Sequence, residues 1–528
     1  MPYTQIPSTN TSSVDFVKHR IGKIAAASLL LAAFLGGCAS GPVDYPRTDS
    51  SVITDTQETT AGRHVAKWRQ GHPGMSGFYP LVNGMDALGA RLGLIDLAER
   101  TIDAQYFLMK GDDAGVLFAD KLLEAADRGV RVRLLLDDVF TSVDDNTLVL
   151  LNEHPNIELR LFNPVSRRGI PLFNFLGDFE RANRRMHNKS FTVDNQVTIV
   201  GGRNIAEEYF DLKSGQSFRD LDVFAIGPVA GEIGITFDRF WNHALSVPME
   251  AFWTGKDAPD LPAARAEAAQ ELQDAMQSIY ARAVGSDFVR DLIDERIVLY
   301  PATGEVITDD PEKLLNKVSA DHQVLVTRMA EVVADADSDV IVVSPYFIPG
   351  TDGVEFWRGL TERGVRVVIL TNSLASNNHV PVHAAYARYR HPIIRAGVEL
   401  REMRVDASEV PRRKDDDAFE SVTLHTKAMV IDRRYTFIGS LNLDPRSIDI
   451  NTELGVLVDS VEMAGSLQQP FETRLPEMSY RVVENENGQL RWHGLIDGHE
   501  VVEKNEPQAG NWRRFKAFLS RILPESQL

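Results

Sequence analysis

The chain has 528 residues, which is enough for two or three domains, and its 43% hydrophobic and 25% charged residues are typical of a folded protein. Its formal net charge of −19 disfavours a general nucleic-acid binder, because such a protein needs a basic surface for the phosphate backbone. The single cysteine excludes an intramolecular disulfide.

The N-terminal segment has the composition of a secretory signal. Lysine and arginine residues precede an uncharged, mainly apolar run at 24–34, which is too short for a comfortable membrane span. Leu-Gly-Gly-Cys follows and resembles the lipobox of bacterial lipoproteins. This implies a signal peptide over 1–37 and lipidation of Cys38, on a protein of the bacterial cell envelope that faces the periplasm. An uncleaved N-terminal anchor is the alternative, and the choice between inner and outer membrane stays open.

The segment after the cysteine is rich in Ser, Thr, Asp and Pro over residues 39–62. Such a composition buries little apolar surface and predicts a flexible tether. We therefore assign 38–75 to the lipidated N-terminus and its tether.

The rest of the chain repeats itself once. Three stretches return in the same order, 235 to 240 residues later: AQYF (104–107) as SPYF (344–347), RGVRVRLLLDD (128–138) as RGVRVVILTNS (363–373), and 186–204 as 424–442. Three matches at nearly one offset indicate a duplicated domain, and the period is too long for a solenoid repeat.

Each copy alternates apolar strands with helices, and helices are predicted over Leu117–Ala126 and Val354–Thr361. Buried apolar strands between helices indicate an α/β fold, a mixed sheet flanked by helices. We predict two homologous domains in a pseudo-twofold monomer. The predicted boundaries are 76–250 for the first domain, 251–320 for a helical connector, 321–475 for the second domain and 476–528 for a tail.

The third repeated stretch carries the candidate chemistry, as H-x-K-x4-D followed after six residues by G-x-x-N. The first copy supplies His187, Lys189, Asp194, Gly201, Gly202 and Asn204. The second copy supplies His425, Lys427, Asp432, Gly439, Ser440 and Asn442. Two copies with the same asparagine spacing make chance a poor explanation.

The residue types suit attack on a phosphodiester. Such a reaction needs a nucleophile that works near neutral pH, cations or amides around the non-bridging oxygens, and an acid for the leaving alcohol. The side chains suited to those oxygens are Lys189, Asn204, Lys427 and Asn442. One histidine cannot be nucleophile and acid in the same step, so the duplication is part of the mechanism.

The two motifs resemble the signature of the phospholipase D superfamily, and the similarity covers most of residues 76–470. The segments RRMHNKSFTVD, VGGRNI, DLDVFAIGP and GSLNLDPRS resemble the C-type branch of bacterial cardiolipin synthases. The resemblance implies phosphatidyl transfer to phosphatidylglycerol through a phosphohistidine, without metal or cofactor. By family analogy His187 is the nucleophile and His425 the acid and base, because the motif itself is symmetric.

A nucleophilic histidine also needs an acceptor on its second ring nitrogen. Glu453, 28 residues after His425, is the candidate in the second copy. Asp220 aligns with it in the first copy and is expected to orient His187, with Asp222 as the rival.

Other residues of the motifs have structural roles in this interpretation. Asp194 and Asp432 are expected at turns, paired with basic groups, and Gly202 and Ser440 are expected to be structural parts of the motif. The spacing of His379, His383 and His391 does not favour a metal site. His383 and Tyr386 are candidates for the wall of the cleft.

Three features favour a lipid substrate. The first is the anchor at Cys38. The second is NWRRFKAFLSRIL (511–523), where apolar residues recur at helical spacing among four basic ones, which is typical of a helix on anionic lipid. A helix packed on the domain surface is the alternative. The third is the apolar stretch 163–179, which is either an entrance for acyl chains or a buried flap.

The expected partners are phospholipid substrates and a membrane surface, with no nucleic acid and no obligate protein partner. A hydrolytic phospholipase D that releases phosphatidic acid stays open as an alternative. A nuclease is disfavoured by the charge, and two complete motifs speak against a lipid-binding protein with an inactive site.

Overall fold

Each half of the chain builds a mixed sheet from the apolar runs of its sequence. The computed structural model describes residues 45–143, 145–165, 179–212, 216–252, 261–315, 323–407 and 421–525, with only the backbone at 216 and 264–275. The predicted signal peptide, Cys38 and residues 166–178 of the apolar stretch lie outside the described residues.

The described residues of the first half form nine strands: β1 (Ser76–Leu81), β2 (Thr101–Tyr106), β3 (Arg131–Asp137), β4 (Ile157–Phe162), β5 (Ser190–Val193), β6 (Val197–Gly201), β7 (Gln216–Arg219), β8 (Asp222–Ile226) and β9 (Ser246–Pro248). Eight of them pair in the order β1-β8-β6-β5-β2-β3-β4-β9. The pairs β2–β3 and β3–β4 are parallel and the others antiparallel, so the sheet is mixed as predicted.

In the second half, the part of the chain that the structure describes forms eleven strands: β10 (Tyr300–Thr308), β11 (Asp339–Val343), β12 (Arg366–Asn372), β13 (Glu399–Met403), β14 (Ser421–Leu424), β15 (Ala428–Ile431), β16 (Tyr435–Gly439), β17 (Leu454–Asp459), β18 (Ser479–Glu484), β19 (Leu490–Ile496) and β20 (His499–Glu503). The order β10-β17-β16-β15-β11-β12-β13-β18 repeats that of the first half, with parallel pairs again at the centre. This repetition confirms the predicted pair of homologous domains.

The helices lie on both faces of these sheets. They are α1 (Thr60–Gly71), α2 (Gly84–Leu97), α3 (Asp113–Asp127), α4 (Asp145–Asn152), α5 (Phe179–Ala182), α6 (Pro228–Trp241), α7 (Leu261–Val284), α8 (Asp287–Ile293), α9 (Val324–Ala334), α10 (Gly350–Glu362), α11 (Val380–Tyr386), α12 (Arg390–Arg395), α13 (Val461–Met478) and α14 (Asn511–Ser520). The two helices predicted from apolar spacing fall within α3 and α10. Asp112 starts α3 because its carboxylate accepts the Gly115 N–H.

The two sheets are joined edge to edge through β1 and β10, which pair antiparallel. A second contact between the halves is the parallel pair of β7 and β14, from Gln216 against Ser421 to Arg219 against Leu424. Both junctions link segments far apart in sequence. The connector predicted as helical over 251–320 therefore differs from the structure, since it contributes β10 to the sheet.

The register of the strands corrects one of the repeats. Ile102 of β2 and Val340 of β11 hold the same position against β5 and β15. These strands are thus 238 residues apart rather than the 240 suggested by AQYF and SPYF. Pro345, and not Phe347, is the counterpart of Phe107.

The N-terminal segment is bound to the first domain from Arg47 onward, unlike the flexible tether predicted up to residue 75. The Val52 N–H donates to Asp238 Oδ2 at 2.8 Å, and the Arg160 guanidinium donates to the Thr48 carbonyl at 2.7 Å. A polar segment can bind in this way because buried charges need partners that its backbone supplies.

The predicted tail also belongs in part to the second sheet. Ser479 of β18 pairs with Met403 of β13, and β19 and β20 extend that edge. The predicted C-terminal helix is present as α14. Within the described part of the chain, no helix is both long enough and apolar enough to cross a bilayer.

Candidate active site

The two motif histidines lie where the halves join, because the backbone at each one is hydrogen-bonded to the other half. The His187 N–H donates to the Thr452 carbonyl at 2.9 Å. The His425 N–H donates to the Arg219 carbonyl at 2.7 Å, at the end of the β7–β14 pair. Each motif is therefore positioned by main chain from the opposite copy.

The carboxylates that hold the histidines are exchanged between the halves. His187 Nδ1 lies 2.8 Å from Glu453 Oε2, and His425 Nδ1 lies 2.6 Å from Asp220 Oδ2. The prediction that Asp220 orients His187 and Glu453 serves its own copy is wrong. Aligning the copies identified equivalent carboxylates, but which ring each one meets depends on how the two copies pack.

Gly202 and Ser440 hold equivalent positions in the two motifs and accommodate these carboxylates differently. A Cβ on Gly202 would lie 2.1 Å from Asp220 Oδ1, so only glycine allows this approach. Ser440, its counterpart, donates its hydroxyl to Glu453 and accepts the Leu454 N–H at 3.0 Å. The two histidines thus have different surroundings despite the symmetry of the motif.

The lysines and asparagines of the motifs lie buried around the histidines. Lys189 Nζ donates to the His187 carbonyl at 2.6 Å, and Lys427 Nζ lies 3.2 Å from His425 Nε2. Burial lowers the pKa of Lys189 to about 7 and that of Lys427 to about 8.

The two motif amides differ in their contacts. Asn204 Oδ1 accepts the Leu108 N–H at 3.2 Å, and its Nδ2 donates to the Tyr209 hydroxyl at 3.0 Å. Asn442 Oδ1 is buried without a hydrogen-bond partner among the described residues. The second amide is therefore the less constrained of the two.

Both histidines of the free protein are neutral at neutral pH. Burial, together with the charges of Lys189 and Lys427, holds the pKa of His187 well below its ordinary value. Burial and Lys427 lower the pKa of His425 to about 3. A neutral ring that donates its Nδ1 proton to a carboxylate leaves the Nε2 lone pair available.

The carboxylates themselves titrate differently. Burial raises the pKa of Glu453 to about 7. Burial also acts to raise the pKa of Asp220, but the interactions with His425 and Lys427 outweigh it and the pKa is lowered. Asp220 thus stays ionised at a pH where Glu453 is partly protonated.

Aromatic side chains that the sequence interpretation missed form the walls beside the histidines. Phe107 packs edge-on against His187 at 4.7 Å between ring centroids. Phe218 stacks on His425 at 5.3 Å, and Tyr209 meets the same ring edge-on at 5.1 Å. The signal for Phe107 was its position after β2, in one of the repeated stretches.

Comparison with known proteins identifies the family. The family model described as "Cardiolipin synthase, PLD-like domain" matches residues 92–224 and 329–475, which contain both motifs. The chain belongs to this family. It is 38% identical over 464 residues to cardiolipin synthase C of Escherichia coli K12, a match that covers 86% of this chain and 96% of that protein.

Two further comparisons show lower identity. Cardiolipin synthase A of Pseudomonas syringae is 28% identical over 383 residues, covering 72% of this chain and 64% of that protein. The crystal structure of phosphatidylserine synthase from Haemophilus influenzae superposes with a TM-score of 0.54 at 14% identity, over 88% of this chain and all of that one. At this identity the structural likeness supports the fold alone.

In this member of the family, the motif aspartates hold turns, as predicted. Asp194 accepts the N–H groups of Arg100 and Thr101 at 2.8 and 2.9 Å. Asp432 accepts that of Ser338 at 2.7 Å. The hydrogen bonds come from backbone amides, and for Asp432 also from the Ser338 hydroxyl, rather than from the expected basic groups.

The remaining candidates of the sequence lie away from the histidines. Asp222 forms a buried ion pair with Arg91 at 2.9 Å, so it is not the carboxylate of either histidine. His383 is buried 3.1 Å from the Arg390 guanidinium, and the Tyr386 hydroxyl donates to Glu402 at 2.7 Å. These contacts place His383 and Tyr386 in a charge network of the second domain rather than in the cleft wall.

Proposed function

We propose that the protein is a phosphatidyltransferase that makes cardiolipin from phosphatidylglycerol and a second phospholipid through a phosphohistidine intermediate. The observation that carries the proposal is the pair of buried imidazoles, each held at Nδ1 by a carboxylate of the opposite half. Membership of the cardiolipin synthase family supports the same reaction class.

In the first step, Nε2 of His187 attacks phosphorus while the bond from phosphorus to the leaving alcohol oxygen breaks. His425 gives its proton to that oxygen, so glycerol or ethanolamine departs. Binding of the anionic diester favours protonation of His425 before this step, because it opposes the charge of Lys427. The ionised Asp220 stabilises the resulting imidazolium until the proton is transferred.

In the second step, the now neutral His425 removes the proton from a headgroup hydroxyl of phosphatidylglycerol. The resulting oxygen attacks phosphorus, the phosphorus–nitrogen bond breaks, and His187 is regenerated. The lysines hold the non-bridging oxygens where charge sits in both transition states.

The hydroxyl of Ser440 supports the assignment of His187 as nucleophile. A nucleophile must be neutral, and a carboxylate whose charge is shared with a hydroxyl donor favours an imidazolium less than one without such a donor. His425, beside the ionised Asp220, is better suited to carry a proton in the cycle.

The test is product analysis with purified protein on vesicles of phosphatidylglycerol, alone and mixed with phosphatidylethanolamine. We expect cardiolipin with glycerol or ethanolamine, and no product from His187→Ala or His425→Ala. Phosphatidic acid without cardiolipin would instead identify the protein as a hydrolytic phospholipase D.

We also propose that Cys38 carries the lipid anchor in the cell envelope, facing the periplasm. The Leu-Gly-Gly-Cys sequence after an apolar run supports this assignment. Cys38→Ser should lose lipid labelling and become removable from membranes by high-salt washing, whereas the parent stays bound. Equal retention of both after washing would exclude an anchor at this residue.

A further inference from the structure

Helix α14 and the three residues after it, 521–523, leave a large apolar face uncovered. Six large apolar side chains within twelve residues are between 42% and 88% exposed: Trp512, Phe515, Phe518, Leu519, Ile522 and Leu523. Single exposed apolar residues are ordinary, but a contiguous aromatic stripe marks a binding surface.

The charge around this stripe indicates what it binds. The segment 511–523 holds four basic residues and no acidic one, in a chain of net charge −19. Lys516 Nζ lies 5.4 Å from the centre of the Trp512 ring, and the Arg521 guanidinium lies 5.9 Å from that of Phe518. Cations beside exposed aromatic rings are complementary to an anionic phospholipid surface.

The other two cations of the helix anchor it to the second domain. The Arg513 guanidinium donates to the Leu374 carbonyl at 2.5 Å and also to the Asn377 carbonyl. Arg514 donates to the Glu506 carbonyl at 2.8 Å. The helix is therefore tied to the loop that follows β12, with its aromatic stripe outward.

That loop is bonded to the catalytic strand. Within it, Ser376 Oγ donates to Asn372 Oδ1 at 3.0 Å. The Asn372 amide in turn accepts the Leu424 N–H at 2.9 Å and donates to the Leu424 carbonyl at 2.8 Å. Leu424 immediately precedes His425, and these groups are all buried.

We propose that α14 docks on an anionic phospholipid surface through its aromatic stripe and that Arg513, through the loop after β12, positions β14, the strand that immediately precedes His425. Docking would then hold the site next to the bilayer from which its substrates come. The docking half of this inference is independent of the reaction, and the positioning half rests on the proposed function.

Docking is tested by sedimentation with vesicles, using mature protein that carries Cys38→Ser, His187→Ala and His425→Ala so that neither anchor nor turnover contributes. We expect Phe515→Asp with Phe518→Asp to weaken binding to phosphatidylglycerol vesicles by about tenfold or more, because two apolar anchors are lost. The matched control is Ile235→Asp with Val461→Asp, two side chains that are each 60% exposed elsewhere.

The control should bind like the parent, and phosphatidylcholine vesicles should bind the parent far less. Equal binding by the stripe variant, or none by the parent, would overturn the docking surface. A concentration-dependent dimer that the stripe variant abolishes would show that a second copy covers this face, which also overturns it.

Positioning is tested with catalytically intact protein on dispersed short-chain phosphatidylglycerol, where no bilayer is present. We expect Arg513→Ala to lower kcat by about tenfold with little change in KM, and Arg513→Lys to restore part of it. Arg514→Ala is the control, because its contact leads away from the loop. Unchanged kcat in Arg513→Ala would overturn the link, whereas absence of turnover in every protein, with vesicle binding intact, would count against the proposed function alone.

Discussion

At the scale of single residues, two identical motifs acquire different roles from their neighbours. Ser440 donates to Glu453, while Gly202 merely makes space for Asp220. A hydrogen bond to a carboxylate lowers the pKa of that carboxylate, and a nearby cation lowers it by a further, independent amount. The chemical difference between His187 and His425 therefore lies in the groups behind them.

An activated leaving group should separate the two histidines. A phosphatidyl donor with p-nitrophenol as its alcohol needs no acid for departure, so His425→Ala should still release a single-turnover burst, within about tenfold of the parent rate. His187→Ala should give no burst, because the phosphohistidine cannot form. The measurement is stopped-flow absorbance of the released p-nitrophenol. Natural phosphatidylglycerol is the control donor, and neither variant should turn it over. A burst from His187→Ala alone would reverse the assignment.

The pH dependence of kcat/KM should be a narrow bell near neutrality. Activity rises as Glu453, with a pKa of about 7, ionises and accepts the Nδ1 proton of His187. It falls as Lys189 and Lys427, with pKa values of about 7 and about 8, lose their protons.

Ser440→Ala should move one limb of this bell. The serine hydroxyl lowers the pKa of Glu453, so its removal raises that pKa and shifts the acid limb to higher pH. The alkaline limb, which reports the lysines, serves as the internal control. A shift of the acid limb to lower pH, or a shift of both limbs together, would contradict the role given to Glu453.

At the scale of elements, local patterns were predictable and non-local pairings were not. The helices within α3 and α10 follow from apolar spacing, and the motif turns follow from an aspartate in a short loop. The exchange of Asp220 and Glu453 depends on β7 lying beside β14, which no periodicity encodes. Likewise, β10 is a strand because two open sheet edges meet there.

The N-terminal segment is an element whose importance can be measured by truncation. Starting the chain at residue 57 removes one backbone hydrogen bond from each of three charged side chains, Arg133, Arg160 and Asp238. We expect a loss of about 3 kcal/mol in unfolding free energy, since each hydrogen bond contributes about 1 kcal/mol. Denaturant unfolding of a chain that begins at residue 45 is the control and should match the parent. Equal stability of the two truncated chains would show that the segment adds nothing.

At the scale of the whole molecule, the pseudo-twofold arrangement means that the site forms only where the two halves meet. Each half supplies an imidazole and a lysine. The opposite half supplies the carboxylate and the backbone carbonyl that hold the histidine. The continuous sheet through β1 and β10 fixes the halves against each other, so a shift at that edge would move both rings away from their partners.

Double-mutant cycles on unfolding free energy should detect this exchange directly. Contacting buried groups couple by about 0.5–3 kcal/mol, whereas independent sites add within about 0.5 kcal/mol. We expect coupling between His187→Ala and Glu453→Gln, and between His425→Ala and Asp220→Asn, each pair spanning the two halves. The same-copy combinations, His187 with Asp220 and His425 with Glu453, are the matched controls and should be close to additive. Stronger coupling within a copy than between copies would mean that each histidine is held by its own half, and the junction would then be dispensable for orienting the rings.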